Sequence, residues 1–203
     1  MHKEILTKEQ AEILPLIKKF AKNFGLVGGT AIAYHIGHRQ SIDFDLFSVK
    51  PFGNLSVSKK ILEDAVIDKV FINKLGEYTL LRNGVKITFF HYPYRIEFKE
   101  IFDNIIKMAD LLTLSAMKAY ALGMRAKWKD YVDLYFMMKE FYSIEQIIKE
   151  ARRIFGDEFN EKIFRAQLAY FKDIDYSEKV IYMKGFETSE RIIKKELVNF
   201  ALL

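Results

Sequence analysis

The dipeptide Asn83-Gly84 sits between two runs of β-prone residues, YTLLR before it and VKITFFHY after it. A type I′ turn needs two successive residues at positive φ, which Asn and Gly supply, so this stretch predicts a β-hairpin. Upstream, KVFINKL reads as another strand, and Ile42 to Phe47 (IDFDLF) alternates acidic and apolar side chains with the period of a strand. Leu26-Val27 is a short apolar run into Gly28-Gly29, followed by TAIAYHIG with the look of a short helix. A capping-box pattern from Thr7 to Gln10 predicts a helix running toward Phe24, with Pro15 kinking or dividing it. A further helix is expected from about Ser56 to Ile67. From about Ile101 the character changes: Leu, Met, Ala, Lys and Glu recur at helical spacing, and no proline follows Pro93. The expected class is α+β, with residues 1–100 forming an α/β core and residues 101–203 a helical domain packed against it.

With 203 residues the chain can bury a sizeable core, and a hydrophobic fraction of 50% excludes disorder. It holds no cysteine, which excludes disulfides, thiolate nucleophiles and Cys-based zinc sites. A net charge of +5 favours an anionic partner such as a nucleotide, RNA or DNA. The opening MHKEILTKEQ lacks the apolar centre of a signal peptide, and the longest apolar stretches fall well short of the ~20 residues that cross a bilayer. A cytoplasmic, soluble protein with no membrane partner is expected.

Chemistry concentrates in VGGTAIAYHIGHRQSIDFDLF, Val27 to Phe47. Two glycines after a strand let a backbone approach a ligand closely, and a helix opening near Thr30 would offer unpaired N–H groups to a phosphate. Asp43 and Asp45, two apart on a strand, would present both carboxylates on one face. Two hard oxygen ligands can hold Mg²⁺, with Mn²⁺ as the alternative, while triphosphate oxygens complete the coordination. In-line displacement at the α-phosphate would then release pyrophosphate. A glycine pair by itself is usually a tight turn, and a lone Asp-x-Asp a solvated strand edge. The order of the motifs, with Arg39 and Ser41 just before the acids, makes the combination specific. Gly28, Gly29, Thr30, Arg39 and Ser41 are therefore nucleotide-binding candidates, and Asp43 and Asp45 are the metal-binding and catalytic candidates.

The stretch resembles the nucleotidyltransferase AbiEii/AbiGii toxin family, a branch of the minimal nucleotidyltransferase fold. The likeness lies in Gly28-Gly29-Thr30-Ala31-Ile32, His38-Arg39-Gln40-Ser41 and Asp43-Phe44-Asp45-Leu46-Phe47. A second, helical motif matches in Lys118-Ala119-Tyr120-Ala121-Leu122-Gly123-Met124-Arg125 and then Lys129-Asp130-Tyr131-Val132-Asp133-Leu134. The resemblance covers roughly residues 8 to 140. It implies a short mixed sheet with flanking helices, followed by a helical bundle that closes the cleft. It also implies transfer of a nucleotide from a nucleoside triphosphate to an acceptor, which in toxin members can be the 3′ end of tRNA. RNA or protein is the acceptor expected here. A cognate antitoxin is the implied protein partner. Minimal nucleotidyltransferases commonly carry a third carboxylate on a later strand; the matching position here is Thr88, a poor general base. Either Asp130 takes that task or catalysis is weakened, leaving a nucleotide- or RNA-binding module that acts through a partner.

If Asp110 to Arg125 is one helix, Lys118 and Arg125 share a face and could hold triphosphate charge, the one as a point charge and the other as a bidentate fork. A solvated basic helix edge is the plainer alternative. Asp130 and Asp133 open the next helix. Asp130 reads as base or orienter for the acceptor hydroxyl, or else as a carboxylate that complements the helix dipole or holds Lys118 or Arg125 by an ion pair. His35 and His38 lack the four-residue spacing and intervening Glu of a zinc helix. Phe136, Met137 and Phe141 read as core, and ERIIKKELVNF as an amphipathic helix for packing or a partner surface.

Overall fold

The computed structural model describes residues 1–63 and 65–203, which form two compact units, residues 1–110 and 111–203. The first begins with α1 (Lys8–Lys18), opened by the expected capping box: the Thr7 hydroxyl accepts from the Gln10 N–H, and the Gln10 side chain accepts from the Thr7 N–H. Pro15 lies inside this helix, which ends at Lys18 instead of running toward Phe24. Then come β1 (Gly25–Val27), α2 (Gly28–Ile36), β2 (Phe44–Ser48), α3 (Asn54–Leu62), β3 (Lys69–Lys74), β4 (Glu77–Arg82) and β5 (Val85–His91). The helix expected over Ser56 to Ile67 is α3, displaced toward the N-terminus; residue 64 of that range lies outside the described residues.

The hairpin at Asn83-Gly84 is present, with φ values of 50° and 74° at the two turn residues. Its strands pair in register from Glu77↔Phe90 to Arg82↔Val85. A second hairpin follows where the composition pointed to helix: β6 (Glu100–Phe102) and β7 (Ile106–Met108). Its turn residues Asp103 and Asn104 both adopt positive φ, 46° and 57°, and the Ile105 N–H closes the loop on the Phe102 carbonyl at 2.8 Å. Short polar side chains tolerate that conformation as glycine does, without glycine's sequence signal.

The strands form one mixed seven-stranded sheet in the order β3-β4-β5-β2-β1-β7-β6, with parallel pairs β2–β5 and β1–β7 and antiparallel neighbours elsewhere. Strand alternation gives the central strands two unlike faces. Phe44, Leu46, Ile87 and Phe89 are buried. Phe20 and Phe24, just after α1, meet Phe89 edge-on at centroid separations of 4.7 and 5.2 Å. Burial of an aromatic side chain of this kind contributes about 1.5–3 kcal/mol. Asp45, Phe47, Lys86, Thr88 and Phe90 alternate with those residues on the other, half-exposed face.

The second unit is helical: α4 (Leu111–Leu122), α5 (Trp128–Glu140), α6 (Ile144–Phe155), α7 (Glu161–Leu168) and α8 (Glu190–Leu202). Apolar residues surround α5, which buries Tyr131, Val132, Leu134, Tyr135, Phe136 and Met137. A Ser143–Gln146 capping box starts the strongly amphipathic α6. The terminal helix α8 packs on α5 and α7 through Ile193 and Leu197, both fully buried. Phe136 and Met137 are core as expected, whereas Phe141 is 48% exposed because α5 ends one residue before it. The α+β class with a mixed sheet, flanking helices and a helical C-terminal part is the one observed. Among the described residues, no helix is long and apolar enough to cross a membrane.

Candidate active site

Strand β2 positions the acids. Asp45 is its second residue, paired with Val27 of β1 on one side and Thr88 of β5 on the other. Asp43 lies just before the strand instead of on it, and its carboxylate accepts from the Lys86 ammonium at 2.9 Å. Continuing the parallel register by one pleat places Lys86 beside Asp43, as Thr88 is beside Asp45. Thr88 in turn pairs with Thr79 of β4. Acid, hydroxyl and hydroxyl thus form a row across three strands, at the position where a third carboxylate was sought.

The glycines serve this geometry directly. Gly28 has a φ of 74°, and a Cβ built on it would lie 2.1 Å from Asp45 Oδ2. The hollow left by the missing side chain holds the Asp45 carboxylate. A Cβ on Gly29 would lie 2.9 Å from both Arg39 Nη2 and Ser41 Oγ, so its hollow holds those groups. Thr30 is buried and donates its hydroxyl to the Asp43 carbonyl, with Ser41 Oγ 3.1 Å away. Arg39 is 1% exposed, and its Nη1 donates to the Gln40 carbonyl at 2.9 Å. Gly29, Thr30, Arg39 and Ser41 therefore clamp the segment leading to the acids. His35 is part of the frame: its Nε2 hydrogen-bonds the Ala109 carbonyl at 3.1 Å, and burial pushes its pKa down.

The sequence reading missed Lys86. Its signal lies in VKITFFHY, where strand alternation sets Lys86 and Thr88 on one face. The carboxylates of Asp43 and Asp45 are hard oxygen donors that suit Mg²⁺, an ion that keeps several waters and binds through one or two carboxylates and substrate phosphates. Among the described residues no group of three or more His, Asp or Glu that could hold a metal ion is found, so other ligands would have to come from water or substrate.

In the helical unit, Lys118, Arg125, Asp130 and Asp133 converge. The buried Lys118 ammonium hydrogen-bonds Asp130 Oδ1 and lies 3.0 Å from Asp133 Oδ2. Arg125 Nε donates to Asp130 Oδ2 at 3.0 Å. The shared helical face expected for Lys118 and Arg125 is not formed: α4 ends at Leu122, and the N–H groups of Met124 and Arg125 close turns on the Ala121 carbonyl. The two cations are brought together by Asp130 instead. Burial pushes the Asp130 carboxyl up, but Lys118 and Arg125 outweigh it and hold it below its ordinary value. A carboxylate kept ionised by two cations accepts a proton poorly, which favours the holding role over the base.

No protein-family model matches the sequence. A protein of Aquifex aeolicus, aq_aa25, is 32% identical over 183 residues, an alignment that covers 83% of this chain and 84% of the other. The chain belongs to the aq_aa25 family. That relative is itself described as uncharacterised, so aq_aa25 family membership fixes kinship without an activity. Three solved structures share the fold. JHP933 from Helicobacter pylori superposes with a TM-score of 0.59 at 18% identity, covering 97% of this chain and 92% of its own. A candidate nucleotidyltransferase, also from Helicobacter pylori, gives 0.61 at 17% identity, covering 94% and 91%. MenT4, a nucleotidyltransferase toxin of Mycobacterium tuberculosis, gives 0.57 at 11% identity, covering 97% and 86%. The fold of this aq_aa25 relative is thus the one seen in nucleotidyltransferase-like proteins.

Proposed function

We propose that the chain is a nucleotidyltransferase of the AbiEii/AbiGii toxin type, moving a nucleoside monophosphate from a nucleoside triphosphate to an acceptor hydroxyl. The observation that carries this reading is the seating of Asp45 in the hollow of Gly28, on the half-exposed face of the sheet and two residues after Asp43. A fold shared with nucleotidyltransferases supports it. Asp43 and Asp45 would hold one Mg²⁺, or Mn²⁺, which supplies charge stabilisation to the phosphoryl oxygens. Gly28 and Gly29, at the start of α2, would lie against the triphosphate, with Thr30, Arg39 and Ser41 fixing that edge. The acceptor oxygen forms a new bond to the α-phosphorus and releases its proton to solvent. The bond from the α-phosphorus to the bridging oxygen breaks, and pyrophosphate leaves with the bonding electrons.

Within the helical unit, Lys118 and Arg125 are the proposed phosphate-binding cations, and Asp130 and Asp133 hold them in place. The acceptor is RNA, with the 3′ end of tRNA the first candidate, or a protein. The basic balance of the chain suits an RNA, and likeness in fold to MenT4 motivates a toxin paired with an antitoxin. A second reading, nucleotide or RNA binding with weakened catalysis, draws on Thr88 standing where a base would be useful.

Calorimetry tests the nucleotide site that both readings share. Titration with nucleoside triphosphates in Mg²⁺ should show saturable binding that weakens at least tenfold in Asp45→Asn, the loss of one charged partner being worth about 1.5–3 kcal/mol. Equal binding by native and Asp45→Asn proteins would refute the site.

A further inference from the structure

Lys86 has no part in the reading above, yet its ammonium lies 2.9 Å from one of the two metal-binding candidates. A surface ion pair between lysine and aspartate is ordinarily incidental and worth little. Here the backbone dictates the encounter. The β2–β5 register begins at Phe44↔Ile87 and sets Thr88 beside Asp45; the residues just before it, Asp43 and Lys86, meet as an ion pair, with Lys86 on the face of Thr88. The pair is partly enclosed, with the Asp43 side chain 22% exposed and that of Lys86 38% exposed. Lys86 is also flanked in β5 by the buried Val85 and Ile87, which fix its facing.

The charge of the site follows. Two divalent ions 3.5–4 Å apart need bridging and flanking anions to offset their mutual repulsion. Asp43 and Asp45 supply two negative charges, Thr88 supplies a neutral hydroxyl, and Lys86 contributes a fixed positive charge. We propose that the Lys86 ammonium is a built-in cation of the acidic site, standing in the place of a second divalent ion, so that the site takes a single ion. This inference rests on the nucleotidyltransferase reading and narrows it: the lysine answers the triphosphate's charge from the side of Asp43, and the ion answers it from Asp45. Before a triphosphate arrives, Lys86 competes with the ion for Asp43.

Manganese titration followed by electron paramagnetic resonance tests this on the full chain, with and without a non-hydrolysable α,β-methylene triphosphate analogue. The native protein should bind one Mn²⁺ at the acids, a site that Asp45→Asn loses. Without nucleotide, Lys86→Met should bind that ion about tenfold more tightly, because a neighbouring positive charge has been removed. Lys86→Arg, which keeps the charge, should resemble the native protein, and Lys86→Met should bind the analogue more weakly. Circular dichroism establishes that each variant is folded. Two protein-bound ions in the native chain, beyond any that the free analogue binds in a protein-free titration, would overturn the proposal while leaving the nucleotidyltransferase reading intact. So would equal Mn²⁺ affinity in Lys86→Met and native proteins. Binding that survives in Asp45→Asn would overturn the site assignment, and this proposal with it.

Discussion

Gly28 and Gly84 share a φ of 74° but differ in what surrounds them: a Cβ on Gly28 would strike the Asp45 carboxylate, whereas one on Gly84 would meet open space. Backbone strain alone costs an alanine at either position roughly 1–2 kcal/mol. Gly28→Ala must in addition displace Asp45. Both variants should melt at lower temperature than the native protein, and only Gly28→Ala should lose Mn²⁺ binding; equal loss in both would show that the Gly28 hollow is not shaped for the acid. At this scale the acids and glycines were legible because the motif is contiguous, from Val27 to Phe47. What was illegible is the direction of the fit. The glycines look like a place for backbone to meet a ligand, and they admit Asp45, Arg39 and Ser41 as well. Lys86 escaped for another reason: its relation to Asp43 is created by pairing between strands far apart in sequence, and one sequence does not print that register.

The elements that carry strong local chemistry were the readable ones. Asn83-Gly84 announced its hairpin, and Thr7 and Gln10 their cap. Asp103-Asn104 turns a hairpin with no glycine, so β6 and β7 were hidden under a composition that suggests helix. The helical end at Leu122 was likewise overlooked, since Gly123 is a weak stop signal inside a basic, alanine-rich run, and this moved Arg125 off α4. The ion pairs of the helical unit give it a defined acid response. Asp130 is held below its ordinary value by Lys118 and Arg125, against the effect of burial. At Glu178 burial also acts upward, yet Lys127 and Lys129 bring its pKa down from 4.5 to about 2. Lowered carboxylates stabilise the fold above their unfolded values, and that contribution is lost as pH falls through the folded ones. Unfolding midpoints in urea should therefore drop between pH 4.5 and pH 2, and Glu178→Gln should show a shallower drop. A midpoint independent of pH over that range would contradict these pairings.

For the whole molecule, the class was legible from the change of periodicity along the chain, while the seven-stranded order required pairings such as β1–β7 that join distant segments. Membership of the aq_aa25 family adds kinship, and the fold shared with MenT4 and the Helicobacter pylori proteins adds architecture. Activity is the part that belongs to this chain's own residues. The most direct measurement is transfer of label from α-³²P nucleoside triphosphates to total RNA or to protein in Mg²⁺, with pyrophosphate release followed in parallel. Native protein should transfer label and release pyrophosphate together, and Asp43→Ala should be slower by on the order of a hundredfold or more, as when one preorganised stabilising group is removed. Transfer by Asp43→Ala at the native rate would contradict the account.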